Sequence, residues 1–275
     1  MSSQISLNDY NSFKEFLEQH CGLMLGDNKH YLVSSRLTGL LGEFDVPTVG
    51  DLIQKIVSRP DVKLRERVIE AMTTNETFWF RDGFPFDILK STIFPELDSK
   101  LGGIKIWSSA CSSGQEAYSI SMATEEYRAE KPGRMRGDVR IIGTDISAAI
   151  VRAAQKGCYD NLAMTRGLSP ERKSKFFRQV GDCWQVNDNI KARASFREMN
   201  LLQSYSLLGK FDIVFCRNVL IYFSPENKRD IIERLRQSLN PRGFLFLGAS
   251  ESLSNYSDAF EMIRCNPGVL YRLKQ

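Results

Sequence analysis

Histidine is almost missing from this chain: two occur in 275 residues, His20 and His30, both in a stretch that reads as accessory helices. A reaction that relies on an imidazole base is thereby disfavoured. No apolar run approaches the ~18 residues of a membrane span, and no basic start, apolar middle and small-residue cleavage site opens the sequence. The expected compartment is the cytoplasm, without membrane insertion. Six cysteines (Cys21, Cys111, Cys158, Cys183, Cys216, Cys265) are scattered with no C-x-x-C pair, so neither a zinc site nor a disulfide framework is indicated and buried reduced thiols are expected. No metal is expected. No G-x-G-x-x-G occurs, which disfavours a pyrophosphate cradle and with it a dehydrogenase. Internal repeats, low-complexity tracts and long exposed heptads are also missing, and a monomer is expected.

What is present is enough apolar material, 42% of residues, for one large domain and a smaller one. The formal charge of +4 is uneven: positions 128 to 197 hold 15 basic and 7 acidic residues, whereas the first 75 are slightly acidic. A basic middle serves an acidic protein partner or a nucleic acid, or is simply a solvated surface.

Over the first 75 residues apolar side chains recur at helical spacing: Tyr10, Phe13, Leu17; Val33, Leu37, Leu40, Phe44; Val49, Leu52, Ile53, Ile56, Val57; then Leu64, Val68, Met72. Gly22, Gly26, Gly42, Pro47 and Pro60 separate them into a small all-α domain, placed at residues 1–71. A linker, 72–103, precedes a change of period at Ile104. Strands are predicted at Ile104–Ala110, Val139–Thr144, Phe196–Asn200, Phe211–Cys216 and Phe244–Gly248. They alternate with helices at Gln115–Arg128, Ser147–Lys156 and Pro225–Leu239, the pattern of a mainly parallel doubly wound sheet. Phe260–Arg264 and Val269–Leu273, joined by Asn266-Pro267-Gly268, read as a closing antiparallel hairpin. The alternation breaks at about 157–195, where a helix-like Pro170–Phe177 and a stretch Cys183–Ala192, either strands or loop, predict a small inserted subdomain.

In such a sheet ligands sit at the carboxyl ends of the strands. After the first comes Ser108-Ser109-Ala110-Cys111-Ser112-Ser113-Gly114-Gln115-Glu116, small residues that let a ligand approach backbone at a helix start. Asp145 ends the second and offers an acceptor-only carboxylate to ribose hydroxyls, or else caps the next helix. After the fourth lies Cys216-Arg217-Asn218-Val219-Leu220-Ile221-Tyr222-Phe223, a polar step between apolar runs. Before the sheet stands Thr73-Thr74-Asn75-Glu76-Thr77-Phe78-Trp79-Phe80-Arg81, either a strip folded over a ligand or a helix cap followed by core aromatics.

Taken in order, Thr-Asn-x-Thr-x-x-x-Arg, Ser-x-Gly-x-Glu-x-Tyr-Ser, Thr-Asp-Ile, Asn-Leu and Cys-Arg-Asn-Val-x-Ile-Tyr-Phe resemble the chemotaxis receptor methyltransferases, the CheR family. The resemblance spans nearly the whole chain. It implies an α/β fold, a class I methyltransferase-like sheet of about seven strands with a C-terminal antiparallel hairpin, occupying 104–275. It implies S-adenosylmethionine (SAM) as methyl donor, S-adenosylhomocysteine (SAH) as product, and O-methylation of glutamates on cytoplasmic helices of methyl-accepting chemoreceptors. The family's cofactor contacts fall on Asn75, Thr77, Arg81, Glu116, Asp145, Asn200, Leu201, Arg217 and Asn218, with Arg81 and Tyr222 nearest the reactive methyl. The helical domain would recognise the receptor, with Arg36 among its exposed basic candidates. The segment Gln179–Ala194 is shorter than in enteric members that bind a receptor's C-terminal pentapeptide, so direct recognition of the methylation helices is expected here.

Two other classes compete. A nucleic-acid methyltransferase would use the basic middle for phosphates, but the Asn/Asp-Pro-Pro-aromatic step of base methylation is missing after the fourth strand, and no nucleic acid is expected. A non-catalytic adaptor would keep the fold and bind no cofactor.

Overall fold

The computed structural model describes residues 5–59, 61–100 and 102–275, so Pro60 lies outside the described residues. The chain divides into two compact units: one runs to Thr74 and takes in Tyr222–Lys228, the other consists of Asn75–Ile221 and Arg229–Gln275.

In the first unit the apolar stripes become α1 (Leu7–Cys21), α2 (His30–Leu37), α3 (Val49–Ser58) and α4 (Val62–Met72). Three of them start where a side-chain oxygen takes up an orphan backbone N–H: Ser6 accepts from Asp9, Thr48 from Asp51 and Asp61 from Leu64. Tyr10, Phe13, Leu17, Leu52, Ile53, Val68 and Met72 are buried, as the spacing predicts. Arg36 corrects an expectation. It is not a free surface cation, because its guanidinium donates to the Met72 carbonyl (2.5 Å), the Thr73 carbonyl (3.1 Å) and Thr74 Oγ1 (3.0 Å). The reason is local: the last carbonyls of α4 lack helical partners, and a cation suits a helix C-terminus.

The second unit opens with an element that periodicity does not predict. Phe84–Leu97 winds as α5 (Phe84–Ile88), a π-helical turn (Leu89–Ile93) and α6 (Phe94–Leu97), with Phe86, Leu89, Ile93 and Phe94 buried. Pro85 and Pro95 each occupy a first-turn position, where no N–H is needed.

The main sheet follows as β1 (Ile104–Ser108), α7 (Gln115–Glu130), β2 (Val139–Asp145) and α8 (Ala148–Lys156). An insertion then contributes β3 (Cys158–Tyr159), α9 (Pro170–Phe176), β4 (Phe177–Val180), β5 (Cys183–Val186) and α10 (Asp188–Lys191). The chain returns as β6 (Ala194–Glu198), β7 (Phe211–Cys216), α11 (Pro225–Ser238), β8 (Leu239–Leu247), β9 (Phe260–Arg264) and β10 (Val269–Leu273). The spatial order is β6-β2-β1-β7-β8-β10-β9. The first five strands are parallel to their neighbours, and β10 is antiparallel to both β8 and β9. This is the seven-stranded class I methyltransferase sheet with its antiparallel end. Burial on both faces makes β7 a continuous buried run. Its one acid, Asp212, accepts the Lys105 N–H (2.9 Å) and Asn240 Nδ2 (2.7 Å) and pairs with Lys100.

The insertion forms a separate antiparallel sheet, β3-β5-β4, in which the ambiguous Cys183–Ala192 stretch resolves into a strand and a short helix. Its register corrects the expectation of six reduced thiols. Cys158 faces Gln185 and Cys183 faces Val180, which sets the two Cα atoms 5.8 Å apart with the sulfurs bonded, a separation suited to a disulfide. Cys21, Cys111 and Cys216 are buried free thiols, and Cys265 is half-buried and free.

Candidate functional site

Because β6, β2, β1 and β7 are parallel neighbours, their carboxyl ends share one edge of the sheet, and the segments that follow them meet there. The turn after β1 is built for close approach. Ser112 takes a positive φ of 49° and Gly114 one of 94°. A Cβ on Gly114 would stand 3.0 Å from the Ala154 Cβ and 3.3 Å from the Phe196 ring, so only glycine fits.

Asp145 closes β2 and is buried. Its Oδ2 accepts the Ser112 N–H (2.8 Å) and its Oδ1 the Ser147 N–H (3.2 Å). The helix cap is not Asp145 but Ser147, whose hydroxyl accepts the Ile150 N–H (3.2 Å). Each carboxylate oxygen therefore keeps acceptor capacity toward the edge. Burial raises the Asp145 pKa, and N–H groups of Ser147, Ser112 and Ile146 oppose that rise. The Asp145 carbonyl takes the Met199 N–H (2.8 Å), which ties in the segment after β6. There Asn200 folds its Oδ1 onto the Leu202 N–H (2.9 Å), and Leu201 is buried.

The centre of the site is a buried charge network. The Arg217 side chain, 1% exposed, bonds Glu116 Oε2 (3.0 Å), Asp82 Oδ2 (2.6 Å) and the Arg81 carbonyl (2.9 Å). Glu116 is held in turn by the Ser108 hydroxyl (2.7 Å). Arg217 Nε is buried and has no hydrogen-bond partner. Two acids around one guanidinium compensate the cost of burying it, which a single unpaired charge would not survive.

The strip before the sheet is pinned to this edge. The Asn75 carbonyl accepts the Ser112 hydroxyl (2.8 Å), and the Phe80 N–H bonds Ser119 Oγ (3.0 Å). Trp79 is buried, with its Nε1 on the Ala163 carbonyl (3.0 Å), so the strip contributes aromatic core. Thr77 is half-buried along it. Arg81 turns back so that Nη1 reaches the Glu76 carbonyl (3.1 Å), with its guanidinium 5.5 Å from the Phe78 ring centre. Among the described residues no ion pair involves Arg81. Phe80, Asp82, Ser112 and Asn218 supply half of the eight non-glycine residues with positive φ among the described residues, and such backbone persists only where its surroundings over-determine it.

Sequence reasoning missed Asp82 and Glu251 of this site. Glu251 gathers four backbone N–H groups: Asn218 (2.7 Å) and Gly248 (2.7 Å) on Oε2, Val219 (3.0 Å) and Ile221 (3.3 Å) on Oε1. It thereby shapes the loop after β7. A Cβ on Gly248 would stand 2.7 Å from that carboxylate, and the Gly-x-x-Glu spacing after the fifth strand is the signal that was available. Nine of the ten expected site residues lie in the sheet unit. Tyr222 belongs to the helical unit, where its carbonyl accepts the Met24 N–H (2.9 Å). Among the described residues no group of three or more His, Cys, Asp or Glu is placed to hold a metal.

These groups fit a ligand bearing a ribose, a cation and a carboxylate. Asp145 has acceptor capacity for hydroxyls, and the buried Arg217 Nε has a donor to spare. The model "CheR methyltransferase, SAM binding domain" matches residues 75–269, and "CheR methyltransferase, all-alpha domain" matches 8–73. The chain is 51% identical over 271 residues to a chemotaxis protein methyltransferase of Vibrio anguillarum, covering 98% of both. It is 52% identical over 269 residues to chemotaxis protein methyltransferase 1 of Pseudomonas aeruginosa, covering 97% of this chain and 98% of the relative. Among solved structures it is similar to magnesium protoporphyrin IX methyltransferase from Synechocystis with bound SAM, with 14% identity, a TM-score of 0.41, and coverage of 88% of this chain and 97% of the other. With both of the family's domains in order and relatives matched nearly end to end, the chain belongs to the CheR methyltransferases, SAM-dependent enzymes of chemotaxis.

Proposed function

We propose that the protein esterifies glutamate side chains on the cytoplasmic helices of a methyl-accepting chemoreceptor, acting as a cytoplasmic monomer that recognises those helices directly. The observation that carries this reading is a donor site without a base. Neither histidine lies in the sheet unit, and both belong to the helical one. A glutamate carboxylate, with an ordinary pKa of ~4.3, is already the nucleophile at neutral pH and needs none.

The methyl donor supplies an electrophilic methyl on a sulfonium. Asp145 would hold its ribose hydroxyls. Glu116, Arg217, Asn218, Asn200, Leu201, Asn75 and Thr77 would form the rest of its cradle. Arg81, whose guanidinium reaches the Glu76 carbonyl and lies over the Phe78 ring, would orient the incoming carboxylate through its planar fork. The protein's task is then alignment and exclusion of water. Arg134, Arg140, Arg172, Arg178 and Arg193 of the basic middle each pair with a carboxylate of the chain, which supports a solvated surface more than a phosphate-binding one.

The test is transfer of tritiated methyl to a receptor cytoplasmic fragment. The expected product is base-labile and releases methanol, the signature of an ester, and Arg81→Ala loses at least about a hundredfold in turnover. A base-stable label, or full activity in Arg81→Ala, refutes the assignment.

A further inference from the structure

Three arginines stack on the aromatic residues of the Asn75–Arg81 strip, and they are not equivalent. Arg172 lies 3.6 Å from the Phe80 ring centre and grips Glu126 with two nitrogens (2.7 and 3.0 Å), which makes it a fixed part of the framework. Arg81 shares the Phe78 ring with Arg166, whose guanidinium lies 4.3 Å from the ring centre. Arg166 makes one ion pair, Nη1 to Glu76 Oε1 at 3.1 Å, with side chains 59% and 58% exposed. An exposed single-contact pair of this kind is weak and exchangeable.

The position of Arg166 is nonetheless fixed. The next residue, Gly167, has φ +77°, and a Cβ there would stand 1.7 Å from the Trp79 carbonyl oxygen, so the backbone of this turn rests directly on the strip. The same turn is fastened by Trp79 Nε1 on the Ala163 carbonyl, and Asp160 Oδ1 braces it through the Ala163 N–H (2.7 Å). A cation with a rigid base, an aromatic platform and a replaceable counter-ion is preorganised for an incoming anion.

Building on the functional reading above, we propose that Arg166 is a specificity residue for the acceptor. It binds an acidic side chain flanking the target glutamate, and Glu76 is the carboxylate that this side chain displaces. The acceptor class is therefore a segment carrying at least two carboxylates, one beside Arg81 to be methylated and one beside Arg166 to be recognised. Arg166 is a positioning group and takes no part in bond making.

The experiment compares wild type, Arg166→Ala and Glu76→Gln in steady-state methylation of a receptor cytoplasmic fragment, with SAH affinity measured by calorimetry. Arg166→Ala is expected to raise KM for the fragment about tenfold, with kcat held within about twofold. Glu76→Gln is expected to lower KM about two- to threefold, because it frees the guanidinium. SAH affinity is expected to be the same in all three. If the pair only braces the strip, both substitutions break it and KM rises in both, which overturns the proposal. A fall in kcat alone, or a loss of SAH affinity in Arg166→Ala, also overturns it. Failure of wild type to label the fragment overturns instead the functional reading on which the proposal rests.

Discussion

At the scale of single residues, Asp145 shows how burial ties donor binding to pH. Burial lifts its pKa above the ordinary 3.8, so it takes up a proton at a pH where an exposed aspartate would still be ionised. For the free protein this group adds stability below 3.8 and loses it as pH rises through the raised folded value, because the ionised form is costly to bury. Donor binding has the opposite sign, since protonation removes the charge and turns one acceptor position into a donor, which weakens the carboxyl as a partner for ribose hydroxyls. SAH affinity measured by calorimetry is therefore expected to weaken on acidification, beginning above pH 3.8 and steepening toward about tenfold per pH unit. An affinity flat to that point would show that Asp145 does not hold the sugar. The choice between ribose ligand and helix cap, open in the sequence, turns on Ser147. That hydroxyl caps α8, while Asp145 takes the N–H of the cap residue itself and that of Ser112, so the acid is not the cap.

At the scale of elements, the loop after β7 takes its form from a residue more than thirty positions away. Replacing Glu251 by Gln puts an amide NH2 against N–H groups that now meet a carboxylate oxygen, leaving at least two donors unsatisfied. A loss of about 2 kcal/mol in urea unfolding is expected, together with weaker SAH binding as Asn218 and Val219 lose their mooring. Unchanged unfolding would mean that water replaces the carboxylate without cost. The main strands were legible because alternation of period and strand-end punctuation are local signals. Ile104, Val139, Phe211 and Phe260 begin strands in both sequence and structure. Glu251, the stacking of Arg166 and the Cys158–Cys183 bond were not legible, since each joins positions distant in sequence through register or packing. The Phe84–Leu97 helical segment was not legible from periodicity, and its two prolines act as starters. The expectation that Arg36 is exposed failed for a related reason, because a helix end that needs a donor is invisible until its neighbour is placed.

At the scale of the whole molecule, two units divide recognition from chemistry in the proposed reading, and direct recognition makes the receptor's extreme C-terminus dispensable. Removing the last five residues of a receptor fragment is expected to leave its methylation rate unchanged within about twofold; a tenfold or larger drop would show that a tether supplies local concentration. Ser112 sets how donor and acceptor affect one another. One residue gives its N–H to the acid of the donor site and its hydroxyl to the Asn75 carbonyl, at the start of the strip that carries Arg81. In the proposed reading, filling the sugar site steadies the Asn75 end of the strip on which the second substrate docks. By reciprocity the acceptor tightens the donor by the same factor. That exchange runs through a single hydroxyl, which Ser112→Ala deletes while sparing the N–H.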